Sequence, residues 1–532
     1  MGALIIIIAL SFFSWQPLFN PGFFTFHDEQ QVARLFQLDI ALSAGQFPVR
    51  TVADLGFGLG YALFNFYPPL TYYFGEVFHL LGFGLIDSVK LVWLFAIVGS
   101  GMAMYFLAKK FFGKTGGVVS ALFYIYAPYH AVDAYVRGAL AELSSFVWLP
   151  LILLYSSKPV ISGIFLALLM VTHNLIFLPF IGFYILWSRN IKNIMISLLI
   201  AFGLTAFFWA PALWEKQFTL VDSLLIKNLA SYKIHFVCPT QLWDSLWGYG
   251  GSIPGCLDGM SFKLGKLHII LGILAFIPAL KSRSKVVITS FFLFAFSVFM
   301  TTSYSGFIWD RVQALWYLQF PWRFLEFAAL FSALLVGSVT TFKNKWLNGV
   351  VTAGVIGLLL FFNGKLFQPQ TYLNVTDRDL TTEEEIKWRV SSTSFEYLPK
   401  GVATKTNPNG TLGIDIEKQA IYEAKYQIID GEFQEFYAKF YPHRFELSGT
   451  STQGAIVRVR IANFPGWKVR VNEKPVKIDD NNPYKLVTFM VPEGEVSVRG
   501  VFSDTPVRTI GNIISLVTVF GVGLYGYKRI KK

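Results

Sequence analysis

The chain has 532 residues, of which 54% are hydrophobic, 17% aromatic and 15% charged, and its formal net charge is +12. Soluble domains carry roughly 25% charged residues, and the shortfall is concentrated in the long N-terminal part, which excludes an ordinary soluble protein. The basic residues sit in short clusters between apolar runs, a pattern of membrane topology and not of a nucleic-acid surface.

In chain order, the apolar runs that read as membrane crossings are Ala3–Phe19, Pro68–Phe83, Asp87–Leu107, Gly116–Tyr129, Leu143–Tyr155, Val160–Val171, Leu175–Trp187, Ile191–Leu213, Leu267–Leu280, Val286–Met300, Phe324–Thr340, Trp346–Phe362 and Ile510–Tyr525. Several are shorter than the roughly 20 residues a crossing needs, so their ends are expected to extend into flanking residues. The first run has no basic residues before it and no small-residue cleavage site after it, and reads as a retained anchor. Between the first two runs, Gln30–Ala44 is too polar to cross. Val32, Leu35, Phe36 and Leu42 fall on one side of a helix and Gln30, Arg34 and Gln37 on the other, as in a helix lying in the membrane interface.

The basic clusters are Lys109, Lys110 and Lys114; Arg189 and Lys192; Lys281, Arg283 and Lys285; Lys343 and Lys345; and Lys528, Arg529, Lys531 and Lys532. Placing them all inside is self-consistent from Lys109 onward. It conflicts with a crossing at Pro68–Phe83, which would put Lys109 outside. Near the C-terminus, Val457, Val459 and Ile461 alternate with Arg458 and Arg460. Trp467, Val469 and Val471 alternate with Lys468, Arg470 and Asn472. Lys485–Val491 and Val496–Phe502 flank a turn at Pro492–Glu495, and Thr381–Lys387 has helical character. Period-two alternation with such turns indicates antiparallel strands.

These elements predict a polytopic α-helical membrane protein with about 11–13 transmembrane helices and an extracytoplasmic β-sandwich-like domain before the last helix. Residues 1–363 form the membrane domain, with outer loops at 20–67, 131–142, 214–266 and 301–323. Residues 364–508 form the β-rich domain, and 509–532 the last helix with its basic cytoplasmic tail. The plasma membrane is the expected location. Cys238 and Cys256, the only cysteines, share one outer loop. They are either two small apolar side chains or a disulfide made in an oxidising compartment.

Ionisable groups at the outer face are the candidate chemistry. Asp28 and Glu29 follow the first run directly. Such a pair can deprotonate an acceptor or hold a divalent cation, and Asp28 can equally cap the helix behind it. Arg137 and Glu142 share the short 131–142 loop. Arg137 can take a phosphate through its planar fork, or the two can simply pair. Arg323 opens a late run beside Trp322, where snorkelling is the plainer role. His27, Arg50, Asp54, His130, Asp133, His173 and Asn174 complete the set on that face, with Asp54 and Glu142 as reserve candidates for the base. No His/Cys pattern calls for a metal.

His27–Asp28–Glu29 after one anchor, then Asn65–Phe66–Tyr67–Pro68–Pro69–Leu70 opening the next run, resembles GT-C type membrane glycosyltransferases. Ala127–Pro128–Tyr129, Val136–Arg137–Gly138–Ala139, Ala141–Glu142, Thr172–His173–Asn174, Phe320–Pro321–Trp322–Arg323 and Asn463–Phe464–Pro465–Gly466–Trp467–Lys468–Val469 look closer still to bacterial YfhO-like and "6-pyruvoyl-tetrahydropterin synthase-related" membrane proteins. The resemblance covers nearly the whole chain and implies a GT-C-like membrane domain. It implies a polyprenyl-phosphate sugar donor and an envelope glycan, lipid or protein acceptor, with membrane lipid as the surroundings. By that resemblance Asp28 would be the catalytic base, Glu29 its neighbour, and Arg137 and Arg323 the ligands of the lipid phosphate. The other polar residues named above would line the substrate site. Pterin chemistry is not implied, since no zinc-binding histidine cluster is visible. A lipid or glycan transporter, and a non-catalytic envelope protein whose β-domain binds glycan or a partner, are the competing readings. The first would show repeated halves, and none is found.

Overall fold

The computed structural model describes residues 2–224, 231–340, 344–408 and 411–531. Lys343 and Lys532, counted above among the basic clusters, lie outside the described residues. The chain divides into two units, each assembled from separate stretches. One comprises Met1–Gln31, Val77–Gly203 and Ala230–Thr376; the other comprises Val32–Glu76, Leu204–Leu229 and Asp377–Lys532.

The first unit is helical. Its longest helix, Leu85–Ile125, joins two of the expected runs and breaks at Gly113, whose φ of 70° suits only glycine without strain. Lys109, Lys110 and Lys114 flank that break. The helix Leu325–Gly337 is buried along its whole length. Among the described residues, four helices are long and apolar enough to cross a membrane: Leu85–Ile125, Pro321–Thr340, Lys345–Leu366 and Pro506–Arg529, the last in the second unit. Up to 7 qualify if each bent pair counts once: Gly2–Leu10 with Phe12–Phe19, Ile191–Leu204 with Ala206–Phe218, and Lys285–Thr301 with Ser303–Arg311.

That is fewer than the sequence suggests, and helix length is the reason. Leu140–Leu154, Pro159–Thr172 and Asn174–Ser188 are apolar but stop at 15, 14 and 15 residues. At 1.5 Å per residue each is only about 21–23 Å long, against a hydrocarbon core of about 30 Å. Leu70–Leu80, inside the expected crossing Pro68–Phe83, has 11 residues and reaches only about 16 Å. Cys238 and Cys256 are bonded, with their Cα atoms 5.7 Å apart.

Apart from the short pair Phe23–Phe24 and Tyr372–Leu373 in the first unit, the described strands lie in the second. Lys474–Val476, Trp467–Val471, Gly494–Phe502, Arg444–Ser451 and Gln434–Tyr441 form one antiparallel sheet in that spatial order. Leu486–Val491, Ala455–Ala462 and Tyr426–Gly431 form a second. Inward residues of both sheets make one core that includes Phe445, Val457, Val459, Trp467, Val469, Phe489 and Val498. Strand Trp467–Val471 alternates buried and exposed along its length, as its sequence requires. The helical character expected at Thr381–Lys387 is present: a 3-10 turn at Asp379–Thr381 is followed by helical backbone from Glu383, which continues through Glu385–Val390 to Ser391–Thr393.

The helix Gln31–Ser43 corrects one expectation. Its polar side is buried: Arg34 is 5% exposed and Gln37 fully covered. Arg34 donates to the Tyr72 hydroxyl at 3.3 Å and lies 4.1 Å over the Tyr67 ring. Gln37 donates to Asp54 Oδ2 at 3.2 Å. Protein partners on both sides replace the headgroup layer that an interfacial helix would face.

A buried ionic network ties three distant stretches of this unit together. Arg508 and Glu215 are 0% and 1% exposed. Arg508 donates to Glu215 Oε2 through Nη2 at 2.8 Å and Nε at 3.0 Å. Asn65 Nδ2 donates to the same oxygen at 2.8 Å, and Thr505 to Glu215 Oε1 at 2.6 Å. Arg50 extends the network, donating to Asn65 Oδ1 at 3.2 Å and Asn512 Oδ1 at 2.9 Å. A buried charge is tolerated only when its hydrogen-bonding capacity is met in this way.

Candidate functional site

In the first unit, residues Asp133–Arg137 make one wide π-type turn ahead of the helix Leu140–Leu154. Gly138 closes that turn with φ of 65°. A Cβ there would lie 2.1 Å from Phe26 Cδ2, so only glycine lets the chain before Asp28 lie against it. The backbone then fixes the acid loop. His27 N donates to Val136 O at 3.1 Å, Asp28 N to Arg137 O at 2.8 Å, and Gln31 Nε2 to Gly138 O at 2.8 Å.

Glu142, in the first turn of its helix, is the hub of a buried charge cluster. Its Oε2 is 3.0 Å from Arg137 Nη1, 3.2 Å from Arg323 Nε and 3.8 Å from His173 Nε2. Its Oε1 accepts from the Tyr129 hydroxyl at 2.5 Å. Arg137 also pairs with Asp133 and stacks 4.5 Å from the Trp322 ring. Arg323 donates to Leu318 O at 2.6 Å. Arg137 and Arg323 are 6% and 7% exposed, so both guanidiniums work in a nearly dry setting.

The neighbours decide the charges. Burial pushes the Asp133 carboxyl upward, the nearby Glu142 adds to this, and Arg137 opposes it. Asp133 Oδ2 has no hydrogen-bond partner. Burial holds the His173 imidazole down at about 3 despite Glu142, so it is neutral. Its Nδ1 accepts from Ile176 N at 3.1 Å and caps the next helix, which begins at Asn174. Two arginines thus stand against one carboxylate and one carboxyl pressed toward its neutral form.

The expected residues separate into groups. Arg137, Glu142, His173 and Arg323 come together, with Asn174 beside His173. Asp28 joins them through its backbone; it is half-buried, and its carboxylate, with no hydrogen bond or ion pair among the described residues, acts electrostatically on Arg137 and Asp133. His27 and Glu29 are exposed on either side; the His27 ring lies 2.9 Å from Tyr249 O. His130 is a core side chain, stacked 4.2 Å from Phe146 and held down to about 4 by burial. Arg50 belongs to the Glu215 network of the second unit. Among the described residues no three His, Cys, Asp or Glu side chains gather to hold a metal. A cation at Asp28 and Glu29 would therefore lack a third ligand of that kind.

Glu326 was not among the expected residues. Its Oε1 accepts from Ser145 Oγ at 2.5 Å, and it is fully buried. The signal was present, since a lone acid inside the apolar run Phe324–Thr340 needs a partner.

No protein-family model and no curated protein matches the chain. Similar solved structures include the arabinofuranosyltransferase AftD from Mycobacteria, at 14% identity and a TM-score of 0.41, covering 70% of this chain and 27% of that one. The Archaeoglobus fulgidus oligosaccharyltransferase, solved with zinc and sulfate, is another, at 14% identity and a TM-score of 0.37, covering 70% of this chain and 54% of that one. The chain therefore spans 27% and 54% of the lengths of these two neighbours.

Proposed function

We propose that this chain is a membrane glycosyltransferase that moves a sugar from a polyprenyl-phosphate donor to an acceptor at the extracytoplasmic face. One observation carries the reading. A half-buried acid, Asp28, whose charge is felt by Arg137, is hydrogen-bonded through its backbone at 2.8 Å to the turn that bears Arg137 and the buried cationic cluster. An acid open to solvent beside an excess of positive charge suits a reaction that needs both a base and a home for a departing phosphate.

In this reading Asp28 takes the proton from the acceptor hydroxyl. The hydroxyl oxygen forms a bond to the anomeric carbon, and the bond from that carbon to the phosphate oxygen breaks. The lipid phosphate leaves with the electron pair. Arg137 and Arg323 stabilise its charge, and Glu142 keeps their forks in place. In this reading Pro68–Phe83 does not cross, its helix Leu70–Leu80 being only 11 residues long, and Lys109 falls inside.

The test is transfer by purified protein in lipid nanodiscs, with lipid-phosphate hexose and pentose donors and release of lipid phosphate as the readout. Turnover by the native chain with loss in Asp28→Asn supports the reading. No release with any donor, or full activity in Asp28→Asn, overturns it.

A further inference from the structure

In the second unit a groove of about 700 Å³ opens along strand Trp467–Val471. Four cations line it: Lys400, Lys468, Arg470 and Lys485, against the single carboxylate of Asp480. Lys468 and Arg470 alternate with core residues and are exposed. Two positions apart on one strand face, they lie about 7 Å from each other. Lys485 is only loosely engaged by Asp480, at 3.9 Å, and Arg470 by the surface Glu473, at 3.8 Å. Lys400 and Lys468 have no ion-pair partner among the described residues.

Like charges at this density repel one another in the empty groove, and a ligand bearing spaced negative groups relieves that. The rest of the lining narrows the class. Asn463 and Asp480, linked at 2.9 Å, provide polar acceptors, which suit hydroxyl groups and would oppose a pure polyphosphate. Phe218 and Ile478 provide apolar surface against which a sugar ring can lie.

We infer that this groove binds an anionic oligosaccharide, whose acidic groups meet Lys468 and Arg470 in turn while its hydroxyls meet the Asn463–Asp480 pair. The inference stands apart from the transfer reaction, since it concerns binding alone.

The full chain in detergent would be titrated calorimetrically with hexagalacturonate, maltohexaose, inorganic phosphate and a hexaglutamate peptide. Hexagalacturonate should bind, with affinity falling about tenfold between low and moderate salt, because exposed charges are screened. A Lys468→Gln/Arg470→Gln variant should lose about tenfold or more, equivalent to roughly 1.4 kcal/mol. These two side chains point away from the sheet core, so unfolding of the variant should match the native chain. Equal binding of maltohexaose, of phosphate alone or of hexaglutamate overturns the proposal. So does a double variant that folds and binds unchanged, or native protein that binds none of the four.

Discussion

Arg323 and Glu142 stand 181 positions apart in the chain, yet Arg323 Nε meets Glu142 Oε2 at 3.2 Å, on the oxygen that Arg137 also reaches. Removing one member of such a buried set leaves the others charged and unpaired, which typically costs about 3–5 kcal/mol. Glu142→Ala should therefore lower the thermal unfolding midpoint sharply in detergent. In a double-mutant cycle with Arg323→Met, the double variant should lose less than the sum of the two single losses. Strict additivity would mean that the contact contributes nothing.

Asp28 makes the opposite prediction. Its carboxylate makes no hydrogen bond or ion pair among the described residues and acts on Arg137 only through space, so Asp28→Asn should change unfolding far less than Glu142→Ala does. Under the proposed chemistry it should cut transfer by about 10²–10⁴-fold, the usual worth of a general base. Arg323→Lys should fold and raise the donor KM more than it lowers kcat. An equal fall in both variants' stability would reassign Asp28 to a structural role.

Gly138 links turn to acid loop. A Cβ would meet Phe26 at 2.1 Å, and its φ of 65° is strained for any other residue. Gly138→Val should move the Asp28 loop and lower transfer more than Gly138→Ala. Hydrogen exchange at the His27 and Asp28 amides should accelerate in the same order. Slow, unchanged exchange in both variants would show that the loop is held without this contact.

Cys238 and Cys256 are bonded. Closing a loop of this size contributes about 3 kcal/mol in the chain-entropy account. A double Cys→Ser variant should lose stability by that order and should resist further change on adding reductant. Maleimide labelling of native protein without reductant should be negligible; two labels per chain would contradict the bond.

The strands Ala455–Ala462 and Trp467–Val471 could be read directly, because a sheet with one covered face writes period two into the chain. Gln434–Tyr441 escaped that reading: it lies at the sheet edge, and Phe436 is 67% exposed where alternation would hide it. Arg34 and Gln37 show a different limit. Their spacing marks a polar side but says nothing of whether water or Tyr72 and Asp54 will face it. In the site, the Arg137–Glu142 pair is one of two readings the short loop allows, because both ends are local. That Arg323 joins it depends on where two helices meet. Arg50 shares the inferred outer face with Arg137, but sidedness gives a level and not a position. Asn65 and Asn512 decide its surroundings instead.

The Glu215 network has a consequence for synthesis. Arg50 and its acceptor Asn512 are separated by 462 residues. At translation rates of about 5–20 residues per second, that interval lasts on the order of half a minute to a minute and a half. Throughout it Arg50 and Asn65 have emerged, while Arg508 and Asn512 do not yet exist. The Glu215 network can close only when the helix bearing Arg508 and Asn512 is released. A ribosome that stops short of that helix leaves Glu215 without its cation, so the buried carboxylate stays uncompensated until Arg508 has been made.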